Sequence, residues 1–243
     1  MKRITETAIT NLLLTLMLLI LIFSSFSSVP ASVVTAPKTP VYCVDTEEKA
    51  AALMFNVYQG ANYLPGLLAE LDREKVPGTF FIGGTFAFSD ASSVRLIASM
   101  GHEIGNHGYH HRMHTQLTIE QGKDEIRRTN ELLSNLTEKT PVLFAPPSGD
   151  VNDNVVRQAF ECGCRTVMWT ADTIDWRDQD VEKIFQRVVR KTQPGMLILM
   201  HPTEATVQML PDLIKYLKRE GYSFFTVSGL IALENNNFTE NKE

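Results

Sequence analysis

From Glu47 to Leu230, short and nearly continuous apolar runs alternate with longer stretches in which apolar residues recur every three or four positions. The short runs are Ala50 to Phe55, Thr79 to Ile82, His102 to Asn106, Val142 to Phe144, Arg165 to Thr170, Met196 to Met200 and Ser223 to Val227. Their brevity, and the turn residues at their ends, predict strands buried on both faces. The longer stretches predict helices, marked by Leu64, Leu67, Leu68 and Leu71; by Val94, Leu96, Ile97 and Met100; and by Ile119, Ile126, Leu133 and Leu136. Three more follow at Val155, Val156, Ala159 and Phe160, at Ile184, Phe185, Val188 and Val189, and at Leu210, Leu213, Ile214 and Leu217. Thr118 with Gln121 three residues on predicts a capping box, Asp150 or Asn152 an N-cap for the next helix, and Gly101, Gly163 and Gly221 mark helix ends. About seven strands alternating with about six helices predict an α/β fold with a parallel sheet and right-handed crossovers.

The first residues follow a different pattern. Lys2 and Arg3 precede an apolar run from Ile9 to Phe23, and a Ser-rich stretch then leads to Val29-Pro30-Ala31. A positive start, an apolar middle and a small-residue exit predict a signal peptide within residues 1–36, cleaved after Ala31. The alternative is an uncleaved signal anchor, because the run approaches the length that spans a bilayer. The chain is exported in either case, to the outer face of the membrane or the cell wall, and meets the membrane only through this segment if it stays uncleaved. Residues 37–46, with Pro37 and Pro40, read as an extended linker, 47–234 as the folded domain and the Asn-rich 235–243 as a polar tail.

The chain has 243 residues, with 23 Lys and Arg against 28 Asp and Glu, a formal net charge of −5. No clustered positive charge is present to neutralise phosphates, which argues against a nucleic-acid partner and for a neutral or small-molecule ligand. Cys43, Cys162 and Cys164 are too few for a disulfide scaffold. The C-x-C spacing of the last two lacks the second cluster that a zinc site needs, so they read as packing residues.

Polar residues capable of chemistry gather where strands end: Asn56 to Gly60, His107 to His111, Ala145 to Asp150, Asp172 to Trp176 and His201 to Glu204. In parallel α/β folds the loops after the strands converge on one rim and build the site there. Five of the six histidines fall between His102 and His114. The H-x-x-x-H spacing of His107 and His111 places two imidazoles on one side of a helical turn, as a divalent metal requires. His110 and His114 read as surface residues, and His102 as a partner in a structural hydrogen bond. Trp176, Tyr58, Tyr109 and Phe144 offer ring faces for sugars or for packing, whereas Trp169, inside a strand, reads as core.

Gly101-His102-Glu103-Ile104-Gly105-Asn106-His107 with His111 resembles the second motif of the polysaccharide deacetylase (NodB-homology) family, in which the two histidines bind the metal. Thr79 to Ile82 resembles that family's second strand, Pro146-Pro147-x-Gly149 its third motif, Asp172 to Trp176 its fourth, and Leu199-Met200-His201 its fifth. The resemblance implies an irregular (β/α) barrel and a zinc, cobalt or manganese ion on His107 and His111. It also implies His201 as general acid oriented by Asp175 or Asp172, with Tyr58, Pro146, Pro147 and Trp176 at the substrate. The implied activity is hydrolysis of C–N amide bonds in N-acetylated cell-wall glycans such as peptidoglycan or chitin-like chains.

The departures sit at the first and third motifs. Where the family reads T-F-D-D-G, with a catalytic base and then a metal ligand, this chain reads Met54-Phe55-Asn56-Val57-Tyr58-Gln59-Gly60. An amide is not basic and Val has no donor atom, so Asn56 stands at a degenerate base position and one metal ligand is missing. Ala145 replaces the family's Arg, which balances that base. Phe144-Ala145-Pro146-Pro147-Ser148-Gly149 resembles a sporulation-associated branch with the same losses. The implied deacetylase is weak or atypical, with Asp172, Asp175 or Asp150 left as candidates for a substitute base. The alternative is a non-catalytic exported glycan-binding or scaffold protein on the same fold.

Overall fold

The strand β1 (Ala50–Val57) is apolar at every position except Asn56 and buried along its whole length, so both of its faces are covered. The computed structural model describes residues 39–240, with Thr15 and Met17 before them; the expected leader lies otherwise outside the described residues. The chain divides into two compact units, Met1–Thr35 and Ala36–Glu243, and the sheet with its helices belongs to the second. No helix among the described residues is long and apolar enough to cross a membrane.

The sheet continues with β2 (Gly78–Ile82), β3 (Glu103–Asn106), β4 (Leu143–Phe144), β5 (Arg165–Thr166), β6 (Ala171–Asp172), β7 (Met196–Met200) and β8 (Ser223–Phe225). Its order is β5-β4-β3-β2-β1-β7-β6, with β8 beside the first residues of β1 and every pairing parallel. Among the described residues of this unit the α-helices are α1 (Leu64–Glu74), α2 (Gly84–Ser89), α3 (Ala91–Ser99), α4 (Ile119–Thr137), α5 (Asp153–Glu161), α6 (Val181–Val189), α7 (Glu204–Arg219) and α8 (Val227–Glu240). The sheet curls into an irregular (β/α) half-barrel, in keeping with the parallel α/β fold that the alternating pattern predicts and the barrel that the resemblance implies.

Period-two alternation along β1 splits the core. Ala51, Leu53, Phe55 and Val57 pack with Leu67 and Leu71 of α1 and with Leu213 and Ile214 of α7, in the layer between sheet and helices. Ala50, Ala52 and Met54 face the other way, into the lumen, against Phe81, Leu143, Ala145, Val167, Leu197 and Leu199. Each fully buried Leu or Phe contributes about 1.5–3 kcal/mol, so the two layers together fix which rim carries the loops. The capping box at the start of α4 forms as expected, with Gln121 N donating to Thr118 Oγ1 at 3.3 Å and Thr118 N to Gln121 Oε1 at 3.0 Å. Asn152 rather than Asp150 caps α5.

Three expectations need correction. The run Arg165 to Thr170 is not one strand. Val167 N donates to Phe144 O on one edge of the sheet, while Thr170 N donates to Leu197 O on the other. The chain therefore crosses the open side of the barrel between them, which an unbroken apolar run conceals. Residues 41–46 are no free linker: Val41 and Val44 are buried in the lumen core, and Val41 and Cys43 bridge to Val167 and Met196 across that same opening. Two helices, α2 and α8, were not foreseen. The six residues of α2 are too few to show a period, and α8 carries its helix through Asn235, Asn236 and Asn237 to Glu240, into the expected tail.

Candidate active site

The strand ends bring one polar group each to the rim of the lumen. Asn56 continues the inward row of β1 and is 3% exposed, with an Oδ1 that meets no hydrogen-bond donor. At the end of β3, Asn106 is fully buried. Its Nδ2 donates to Ile126 O at 2.8 Å and Asn130 Oδ1 at 2.7 Å on α4, and its Oδ1 accepts from Gly108 N at 2.8 Å. Glu125, also on α4, accepts from Tyr109 N at 2.9 Å, from His110 N at 2.7 Å and from His110 Nδ1 at 2.8 Å. The chain from His107 to His111 is thus a loop clamped from below. It turns through left-handed backbone at Gly108 (φ 72°) and His111 (φ 56°) rather than through the helical turn expected from the spacing.

The clamp brings the two imidazoles together, with ring centroids 5.1 Å apart. His107 Nδ1 lies 2.7 Å from Ala145 O, a pure acceptor, so Nδ1 carries the proton and Nε2 presents a lone pair. That Nε2 is buried and has no partner. Burial, with the neighbouring His111, pushes the His107 pKa down to about 3, so the ring is neutral and ready to ligate at neutral pH. Burial and the nearby His201 lower His111 as well. The ring of Tyr58 stacks on His111 at 3.9 Å. Val57 turns instead into the layer between sheet and helices. No cluster of three or more His, Cys, Asp or Glu side chains is set to hold a metal among the described residues. Two imidazoles fit a divalent cation, and the side chain stacked on them just after β1, that of Tyr58, is an aromatic ring.

Across the rim, after β7, stands His201. Its Nδ1 donates to Asp175 Oδ1 and its backbone N to Asp175 Oδ2, both at 2.7 Å, and Thr206 Oγ1 donates to the same carboxylate. Asp175 is fully buried. Burial alone would raise its pKa, but the bonds from His201 and Thr206 and the charge of His201 outweigh it and hold the carboxyl below the usual range. Of the two aspartates, it is therefore Asp175 that stands behind His201. Asp172 plays another part: its Oδ1 accepts from Ile174 N at 2.8 Å, and burial raises its pKa.

These groups line one cavity of about 380 Å³, formed by Asn56, Tyr58, His107, His111, Ser148, Gly149, Trp169, Asp172, Trp176, Leu199 and His201. A larger one, of about 530 Å³, opens at the amino ends of β3 and β4 around His102 and Lys139. It gathers side chains of both charges and none of the groups that the sequence singles out at strand ends, so chemistry rather than size locates the site. Among the described residues, Asp172 is the only carboxylate lining the smaller cavity. Trp169, expected in the core, packs on the lumen cluster and also lines the cavity. Trp176 is exposed at its edge. Pro146 and Pro147 are buried outside the lining and shape the turn that presents Ser148, held at φ 58°, and Gly149. Phe144 lies wholly in the core, and Tyr109 sits beneath the Arg128 guanidinium. His114 is not a surface residue: it is fully buried, with Nδ1 3.1 Å from Gln158 Oε1. His110 is exposed, and His102 accepts from Gly78 N as expected. Asp150 is occupied in tying down Thr115, through its N and Oγ1.

The polysaccharide deacetylase family model matches residues 44–167. The chain belongs to the polysaccharide deacetylase family. It is 37% identical over 192 residues to the uncharacterized protein YlxY of Bacillus subtilis, covering 79% of this chain and 60% of that protein's length. It is 33% identical over 194 residues to a peptidoglycan-N-acetylglucosamine deacetylase of Bacillus cereus, covering 77% of this chain and 91% of the enzyme. Among solved structures it resembles a CE4 family pseudoenzyme of Bacillus anthracis, with TM-score 0.78, 35% identity, and coverage of 80% of this chain and 69% of the other. A mutant of that pseudoenzyme, described as having restored enzymatic activity, superposes with the same TM-score. Within the polysaccharide deacetylase fold, this chain gathers in one cavity a histidine backed by a buried carboxylate and a histidine pair, and places an amide at the end of β1.

Proposed function

We propose that the cavity binds N-acetylated cell-wall glycan, such as peptidoglycan or a chitin-like chain, outside the cell, and releases its acetate slowly. His107 and His111 would hold a divalent metal there, zinc or in its place cobalt or manganese; when bound, it polarises the acetamide carbonyl. The observation that carries this reading is an intact acid facing an absent base. His201 Nδ1 is committed to Asp175, which aims the other ring nitrogen to give a proton to a leaving amine, whereas β1 delivers only the non-basic Asn56. The carboxyl of Asp172, its pKa raised in the same cavity, is the stand-in acceptor for the water proton. A missing positioned base costs about 10²–10⁴ in rate. The leader-like first residues and the peptidoglycan deacetylases among the relatives support an exported, cell-wall role.

A second reading, a non-catalytic glycan-binding protein, is favoured by the likeness to a pseudoenzyme. Acetate release from chito-oligosaccharide and from peptidoglycan, with zinc, cobalt or manganese added, separates the two. Slow release by the wild type that disappears in His107→Ala supports the enzyme, and Asn56→Asp then raises the rate by about 10²–10⁴. A silent wild type awakened only by Asn56→Asp supports the binding reading. Silence in every variant, with no glycan bound, refutes both. Val57→Asp is not the way to rebuild the metal site, because it would bury a carboxylate among Phe80, Ile82 and Leu67.

A further inference from the structure

His107 lines the cavity, yet it is 1% exposed and its Nε2 is buried without a partner. A lone pair beside a cavity that still meets no solvent has something lying over it. Two rings crowd it. His111 stands edge-on with its centroid 5.1 Å away. The ring of Tyr58, which lines the same cavity, lies 6.2 Å from His107 and is stacked on His111 at 3.9 Å, with 30° between the planes. We infer that the Tyr58 ring is a cover over the histidine pair: stacked, it closes His107 Nε2 off from the cavity, and turned aside, it lets a divalent cation reach both imidazoles. The inference rests on the metal reading above and adds what controls loading of the site.

The backbone on either side of Tyr58 is fixed, so the cover moves by rotation of its side chain alone. Val57 is buried, and its O accepts from Gly83 N at 2.9 Å. Gly60 turns at φ 84° so close to the chain after His201 that a Cβ there would lie 2.2 Å from Pro202 O. The Tyr58 side chain is half-buried, and among the described residues its hydroxyl meets only the amide of Gln59, at 3.5 Å. No buried hydrogen bond pins the ring, which leaves the stack on His111 to hold it. An aromatic pair favours its stacked arrangement by about two- to tenfold. A ligand that needs the open arrangement binds more weakly by that same factor. Rotamer changes near the surface take nanoseconds or less, so the cover acts on metal affinity rather than on the rate of loading.

The first measurement needs no metal. Diethyl pyrocarbonate labels an unprotonated imidazole nitrogen that solvent reaches, and in His107 only Nε2 is open to it, because Nδ1 donates to Ala145 O. Mass-spectrometric mapping of the purified protein in chelator at neutral pH reads His107 against the exposed His110, while the fully buried His114 reports any loss of fold. Tyr58→Ala should raise labelling of His107 by about two- to tenfold, and Tyr58→Phe, which keeps the ring, should leave it at the wild-type level. Tyr58→Leu takes the place of the Ala variant if His114 becomes labelled. Calorimetric titration with zinc should then show binding tighter by about two- to tenfold in Tyr58→Ala and unchanged in Tyr58→Phe. Unchanged labelling of His107 in the folded Ala or Leu variant overturns the inference, as does zinc binding no tighter than in wild type. A Phe variant that binds zinc more weakly also overturns it, because the hydroxyl would then be a ligand rather than the ring a cover. Labelling that rises while no variant binds zinc upholds the cover and overturns the metal reading, so the two failures are told apart.

Discussion

Replacing His107 by Gln tests the electrostatics of the site without any substrate. The imidazole is 1% exposed, its Nδ1 donates to Ala145 O, and its pKa is held at about 3 against an ordinary 6.5. A group whose folded pKa is depressed in this way stays neutral in the native state while the unfolded chain takes up a proton. Stability is therefore lost as pH falls below about 6.5, and the loss levels off near pH 3. Over that span the full difference corresponds to roughly 5 kcal/mol, at 1.36 kcal/mol per unit. Between pH 6.0 and 4.5 the share belonging to this one ring is about 2 kcal/mol. Urea unfolding in chelator at half-unit steps across that interval gives the free energy for wild type and for His107→Gln. The variant has no titrating ring, so its curve should be flatter by about 2 kcal/mol. His111, His114 and His102 are also lowered by burial and slope the same way in both proteins, so they cancel in the difference. Parallel curves would refute the claim that this ring is held neutral by burial.

Other substitutions probe the supports. Asp175→Ala strands the backbone N–H of His201 and the hydroxyl of Thr206, at about 1–3 kcal/mol for each buried group, readable as a lowered urea midpoint with unchanged m. Glu125→Ala frees Tyr109 N and His110 N from the clamp under the histidine loop. Zinc affinity by calorimetry should fall about 10–100-fold while the fold persists; an unchanged affinity would show that the loop holds itself. Gly105→Ala puts a Cβ 2.5 Å from Phe81 Cδ1 in the lumen and should cost about 1–3 kcal/mol by thermal or urea melting.

Much of the architecture was legible because burial on both faces writes itself as apolar runs. β1, β2 and β7 are of this kind, and the strand-end clusters then mark the rim of the site. The parts that escaped depend on contacts that leave no local signal. Arg165 to Thr170 reads as one strand because each half is buried, although the halves pair with opposite edges of the sheet. His114 reads as a surface residue from its loop, yet α5 covers it through Gln158. The spacing of His107 and His111 suggested a helical turn, whereas the clamp from Glu125 comes from a helix more than a dozen residues on. Asp172 and Asp175 could not be told apart from sequence, because only burial shows that Asp175 stands behind His201 and Asp172 stands in the cavity.

The bridge that residues 41–43 lay over the barrel's open side has a bearing on where the chain tolerates cleavage. Val41 N donates to Thr166 O at 3.0 Å, Met168 N to Val41 O at 2.8 Å, and Thr170 Oγ1 to Tyr42 O at 2.7 Å. A cut before Thr39 leaves this seam stitched, whereas a nick a few bonds later unpicks it and exposes two raw sheet edges to neighbouring molecules.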